Sequence, residues 1–188
     1  MLIQDIGICA LFQQVLGDQN SDYAYVYTKT IRLLGDTSAL VIEHRLKNTG
    51  KLPIQSKVYD HNFLTMDGLG VGSAYSIEVP YKIERKRLPD SKFVRIDGST
   101  AEYIADLQGT DRVQFGLEGY SADAKDYDFR IVNKAAKLQV KMVGDRPLVG
   151  ASVWSIRDVL AVEPFIEIAA DPGKDMSWSY TYTYEILK

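Results

Sequence analysis

The sequence predicts an all-β chain, an antiparallel sandwich or barrel, on three observations. Apolar and polar residues alternate with period 2 in segment after segment, turns rich in Gly, Asp and Pro separate those segments, and only one short stretch carries helical spacing. Alternation of this kind buries one face of a strand and leaves the other wet. In chain order, short strands are expected over residues 23–28, 39–46, 75–83, 112–117, 129–132, 138–143, 159–168 and 178–186. The clearest are Tyr75, Ile77, Val79, Tyr81 and Ile83, interleaved with polar residues and Pro80, and Trp178, Tyr180, Tyr182, Tyr184 and Ile186, interleaved with Ser, Thr and Glu. The turns expected between strands are Gly35-Asp36, Asn48-Thr49-Gly50, Asp67-Gly68, Gly144-Asp145 and Asp171-Pro172-Gly173. Ser99-Thr100-Ala101-Glu102 has the spacing of a capping box, followed by Tyr103, Ile104 and Leu107 and then Gly109. This predicts one short connector helix of about two turns.

The 188 residues suit a single domain over 1–188, with 46% hydrophobic and 25% charged residues and no low-complexity linker or internal repeat. The balance of 22 Lys+Arg against 25 Asp+Glu gives a net charge of −3, which argues against a nucleic-acid-binding role, since holding a phosphate backbone needs a basic face. The basic run Lys82–Arg87 is too short and mixed to change that and is expected at a solvated hairpin rim. Cys9 is the single cysteine, which excludes an intrachain disulfide; its apolar surroundings predict a small buried hydrophobe. The first residues carry Asp5 and no basic n-region, and no run reaches the ~20 apolar residues of a membrane helix. No membrane partner is expected, and the absence of a visible signal peptide favours a cytoplasmic location.

No Gly-rich phosphate loop, GxSxG elbow or HExxH motif is present, and two histidines with one cysteine do not make a nitrogen or sulfur metal site. No metal or cofactor is therefore expected. His44 shares a strand face with Leu40, Ile42 and Leu46, as a packed, hydrogen-bonded core histidine would. His61 sits differently. Asp60-His61-Asn62 places three polar residues in succession inside the apolar pattern Val58-Tyr59 and Phe63-Leu64. Such a run marks a bulge, a strand end or the wall of a polar pocket, and it serves either a hydrogen-bonded turn or proton transfer. Glu163 is the second candidate. Leu160, Val162, Ile166 and Ile168 form a core face, so Glu163 projects from the opposite face beside Ala161 and Phe165, just before Pro164. A carboxylate in that company is expected to have its pKa raised by desolvation, as a general base requires, although a surface salt bridge is the commoner fate. Glu167 shares that face as a less isolated competitor.

Three segments carry a resemblance. Residues 41–68 (VIEHRLKNTGKLPIQSKVYDHNFLTMDG) look like the part of the galactose mutarotase-like superfamily in which a strand ending in Asn-Thr leads through a turn into an H–x–F/Y motif. Residues 152–186 resemble that superfamily's closing strands, with a Glu before a Pro-containing turn and a final aromatic strand. Lys125-Asp126-Tyr127-Asp128-Phe129 is similar to its Tyr-Asp before a hydrophobic strand. The resemblance implies a β-supersandwich that binds a small sugar or oligosaccharide. For true aldose 1-epimerases it implies interconversion of anomers by acid/base ring opening, with neither metal nor cofactor. Carried over, His61 matches the general acid, Glu163 the base and Asp128 a carboxylate that binds sugar hydroxyls, with Asp60, Asn62 and Phe63 as further substrate-binding residues. The order Asp60-His61-Asn62 departs from the superfamily's Asn-His, and its second His and its Arg come from upstream sequence without a counterpart here. The chain is accordingly expected to match the C-terminal two-thirds of a supersandwich.

Two functions stay open: an aldose 1-epimerase-like isomerase using His61 and Glu163, and a non-catalytic carbohydrate-binding sandwich. In the second, Tyr59, Phe63, Phe165, Trp154 or the Trp178–Tyr184 ladder would stack on sugar rings, although an aromatic stripe at period 2 is more often core. An apolar-ligand barrel would leave the polar triplet without a purpose.

Overall fold

The computed structural model describes residues 8–18, 20–35, 37–84 and 86–188. Asp5, Asp36 of the expected Gly35-Asp36 turn and Arg85 of the basic run lie outside them. The strands are β1 (Cys9–Leu16), β2 (Tyr25–Leu33), β3 (Ala39–Asn48), β4 (Ile54–Tyr59), β5 (Tyr75–Glu78), β6 (Val94–Asp97), β7 (Thr100–Tyr103), β8 (Arg112–Gly116), β9 (Asp128–Asn133), β10 (Leu138–Gly144), β11 (Gly150–Ile156), β12 (Val159–Ala170) and β13 (Asp175–Ile186). They form a nine-stranded sheet in the order β1-β2-β3-β13-β10-β9-β5-β7-β6 and a four-stranded sheet in the order β4-β12-β11-β8. All strand pairs are antiparallel. The two sheets pack face to face, the arrangement that lets each bury an apolar face.

The core between them follows the alternation. Phe129 and Ile131 of β9, Val140 and Met142 of β10, and Trp178, Tyr180 and Tyr182 of β13 meet Leu160, Val162, Ile166 and Ile168 of β12 in one cluster. The β5 ladder ends at Glu78, before Pro80, which has no N–H to give, yet Val79 and Ile83 remain buried beyond it. His44 is a core histidine, as its strand face predicts. It is 6% exposed, its Nδ1 lies 2.6 Å from the Tyr27 hydroxyl, and its ring is parallel to Trp178 at 4.9 Å between centroids.

The expected connector helix is a strand. Gly98, at φ 60°, and Ser99 form the two-residue turn of the β6–β7 hairpin, in which Asp97 faces Thr100. Glu102 does not reach back to cap a helix; it pairs across the hairpin with Arg95. Ala101 and Tyr103 are buried while Thr100 and Glu102 are half-buried, so period 2 prevails over the capping spacing because the ladder partner is in place. The one helical piece among the described residues is a 3-10 turn, Ala124–Asp126. Cys9 also departs from expectation. It is exposed, because β1 pairs only with β2 and the small sheet does not extend over it. No helix of the described residues is long and apolar enough to cross a membrane.

The turn after β3 holds the two sheets in register. Asn48 is fully buried; its Nδ2 donates to the Leu52 and Ala170 carbonyls, both at 2.8 Å, and its Oδ1 accepts from the Gly50 N–H at 2.9 Å. Gly50 is required there, since a Cβ would sit 2.5 Å from both the Ala24 nitrogen and the Asp22 oxygen. Asn48→Ala is expected to strand the buried Ala170 carbonyl and release the part-buried Leu52 carbonyl, and to cost about 2 kcal/mol, read as a lowered urea midpoint at unchanged slope.

Burial, with the nearby Lys29 charge adding to it, holds the His44 pKa down to about 4. The unfolded chain therefore binds a proton at this site between roughly pH 6.5 and 4 that the folded chain refuses. Stability from His44 is complete above pH 6.5 and declines as pH falls through that window. Urea midpoints measured from pH 7 to 4 are expected to fall more steeply for the parent chain than for His44→Phe.

Candidate functional site

Glu163 lies in the middle of β12, directly across from Ser152 of β11. Its neighbours Val162 and Pro164 turn toward the nine-stranded sheet, so its carboxylate lies on the outer face of the four-stranded sheet, as period 2 predicts. It is nevertheless only 7% exposed. The cover is the segment that leaves β4. Leu64 bridges back to Leu160 with both backbone hydrogen bonds, at 2.8 and 3.0 Å, while Tyr59 remains paired with Phe165. Residues 60–63 thereby run beside residues 161–164 of β12 in the register of the β4–β12 ladder, which sets His61 across from Glu163.

The buried carboxylate has two partners. The Ser152 hydroxyl donates to Oε2 at 2.7 Å, and His61 Nε2 lies 3.2 Å from Oε1. A carboxylate taken from water needs partners for its oxygens, and here each oxygen has one. His61 is 33% exposed, so the pair opens to solvent through the histidine. Aromatic rings surround it. Phe63 is 4.8 Å and Trp154 5.7 Å from the His61 ring centre, and Tyr59 stacks on Phe165 at 4.6 Å. Tyr59 and Phe63 are exposed and Trp154 and Phe165 half-buried. The result is an imidazole–carboxylate contact set within an apolar, ring-faced surface.

The other expected site residues are distributed differently. Asp60 and Asn62 reach toward the opposite sheet: the Tyr182 hydroxyl and Asn62 Nδ2 both donate to Asp60 Oδ2, at 2.9 and 2.8 Å. Burial pushes the Asp60 carboxyl up, against the hydrogen bonds from Tyr180 and Tyr182 that favour its charge. Phe63 joins His61 on the outer face. The structure does not bring Asp128 to the pair. Phe129 takes the core position, so Asp128 falls on the outer face of the nine-stranded sheet, 3.3 Å from Lys141 Nζ and 3.9 Å from Arg130 Nε. Glu167 is exposed, across from Lys57, and takes no part. Ser152 was not among the expected residues. Only the register of β11 against β12 sets it opposite Glu163, and no local pattern carries that information.

No protein-family model and no curated protein matches the sequence. Solved structures do match in fold. A galactose mutarotase related enzyme from Lactobacillus acidophilus superposes with a TM-score of 0.65 at 13% identity, over 96% of this chain and 70% of its own. The GalM/aldose epimerase homologue from C. elegans gives 0.62 at 12% identity, over 96% and 66%. The Slr1438 protein from Synechocystis gives 0.60 at 15% identity, over 93% and 66%. Across the matched mutarotase-like and epimerase structures, this chain spans 49% to 72% of the other protein's length. With its two antiparallel sheets in this order and these neighbours in structure, the chain has the galactose mutarotase-like fold.

Proposed function

We propose that the outer face of the four-stranded sheet binds a reducing sugar and that His61 and Glu163 interconvert its anomers. The observation that carries this is the buried Glu163 carboxylate, with one oxygen held by Ser152 and the other turned to a half-exposed imidazole. In the resting chain the two groups touch each other. A bound sugar takes the place of that contact, with its anomeric hydroxyl on Glu163 and its ring oxygen on His61.

The reaction then balances without a further reactant. Glu163 takes the proton of the anomeric hydroxyl while the His61 imidazolium gives one to the ring oxygen; the bond from C1 to the ring oxygen breaks and a C1 carbonyl forms. Rotation about C1–C2 presents the other carbonyl face. On closure His61 recovers its proton from the attacking hydroxyl and Glu163 returns one to O1. Phe63, Trp154, Tyr59 and Phe165 supply flat apolar surfaces of the kind that stack on sugar C–H faces. The exposed rings of Tyr59 and Phe63 also favour the second reading, a carbohydrate-binding surface without catalysis.

Anomer exchange of glucose or galactose, followed by NMR magnetisation transfer, tests the two. The parent chain is expected to exceed the buffer rate, and His61→Ala and Glu163→Gln each to lose about 100-fold or more of the excess. Exchange no faster than buffer rejects the isomerase, and a saturable sugar-induced shift of the Trp154 indole then leaves binding alone. Ser152→Ala frees one carboxylate oxygen and is expected to lower the excess rate by about tenfold with little change in sugar affinity, since misplacement of a base costs rate first.

A further inference from the structure

Among the described residues the two sheets end in four edge strands, β1 and β6 of the larger and β4 and β8 of the smaller. An edge presents unpaired N–H and C=O groups to any chain that can complete the ladder, and folds blunt it with short strands, charges, proline or a covering segment. Three of the four are blunted in this way. β6 is four residues long and carries Arg95 and Asp97, β4 follows Pro53 and carries Lys57, and β8 begins on Arg112 and gives its Gly116 N–H to the Arg87 carbonyl at 2.9 Å. β1 is not. It runs for eight residues without a charge or a proline, and Leu11, Phe12 and Val15 are each more than half exposed.

The ladder with β2 fixes which groups of β1 are free. The Leu33 N–H donates to the Ile8 carbonyl at 3.0 Å and Cys9 pairs with Arg32, so Ile8 and every second residue after it bond to β2. On the far side of β2 the Thr49 N–H donates to the Ala24 carbonyl, which turns the backbone groups of Tyr25, Tyr27, Lys29 and Ile31 toward β1 and gives the same alternation. The N–H and C=O groups of Cys9, Leu11, Gln13 and Val15 therefore point away from the sheet. Phe12 stands at the middle of that row. A two-fold axis through it sets Leu11 opposite Gln13 and Cys9 opposite Val15 of a second copy, and every free group then faces a free group.

We propose that β1 is a dimer interface at which two copies of this chain pair antiparallel, with Phe12 on the two-fold axis, and join their nine-stranded sheets into one. A second copy suits this edge for a reason of symmetry. Across a two-fold axis a charge meets its own like charge, and of the four edge strands only β1 carries none. The pairing forms about eight backbone hydrogen bonds. The two Phe12 rings meet at a position without hydrogen bonds, where side chains on opposite strands come closest, on the sheet face that also carries His44.

Sedimentation equilibrium of the chain under reducing conditions tests this, with a dimer expected at about 100 μM. Gln13→Pro removes an N–H that the β1–β2 ladder does not use, and Phe12→Lys sets two ammonium groups opposite each other. Each is expected to weaken association about tenfold or more while the circular dichroism spectrum stays unchanged. Trapping reads the register. In a Cys9→Ser background, Phe12→Cys is expected to close a disulfide between copies on mild oxidation, because opposed Cα atoms there lie about 4.5 Å apart. Gln13→Cys, whose counterpart lies about 8 Å away, is expected to stay reduced. A monomer at about 100 μM, a dimer that both Phe12→Lys and Gln13→Pro leave intact, or trapping at position 13 in preference to 12 overturns the proposal.

Discussion

A backbone pinned at both ends of a four-residue segment decides which side chains meet at the edge of the small sheet. Tyr59 is held to Phe165 by the β4–β12 ladder and Leu64 to Leu160 by a two-bond bridge, so residues 60–63 have no freedom to choose which way they face. Successive side chains of an extended segment point to opposite sides. Asp60 and Asn62 therefore enter the space between the sheets and His61 and Phe63 cover its outside. Two carboxylates are satisfied in consequence: Asp60 by Tyr182 and Asn62 within, Glu163 by His61 and Ser152 without. Were this segment to slip by one residue, both would lose their partners, and a buried charge without partners is among the most expensive faults a fold can carry.

The aromatic residues divide along the same line. Trp178, Tyr180 and Tyr182 sit in the core, and burial pushes the Tyr180 and Tyr182 hydroxyls up, with Asp60 adding to the effect. These tyrosines remain donors, which suits them to the partly buried Asp60 carboxylate. Tyr59, Phe63, Trp154 and Phe165 form the outer surface around His61. One sheet thus separates an aromatic interior with a cleft from an aromatic exterior that surrounds the His61–Glu163 contact.

Strands with one wet face were legible residue by residue. The alternation in β3, β9, β10, β12 and β13 marked each of them, and it set Glu163 opposite the core face of its own strand. β11 was not legible. Ala151, Ser152 and Val153 are buried in succession because the core covers one face and the site's aromatic surface the other, and alternation vanishes when both faces are dry. β1 failed for the opposite reason: it is exposed along its whole length, so its apolar residues report no buried face. The 99–109 segment obeyed a capping pattern and a strand pattern at once, and the Arg95–Glu102 pairing across the hairpin resolved it.

By itself the sequence determined what local physics determines: an all-β antiparallel chain, the turns at Asn48 and Asp171, a core histidine at 44, and His61 and Glu163 as the two residues whose surroundings did not suit them. Tertiary structure decided which of those residues meet. The contact between His61 and Glu163, the hydroxyl of Ser152 behind it and the removal of Asp128 to another face all depend on the register between strands far apart in the chain. Register is a property of two segments together, set by pairing and packing of the whole sheet. No window of sequence contains it.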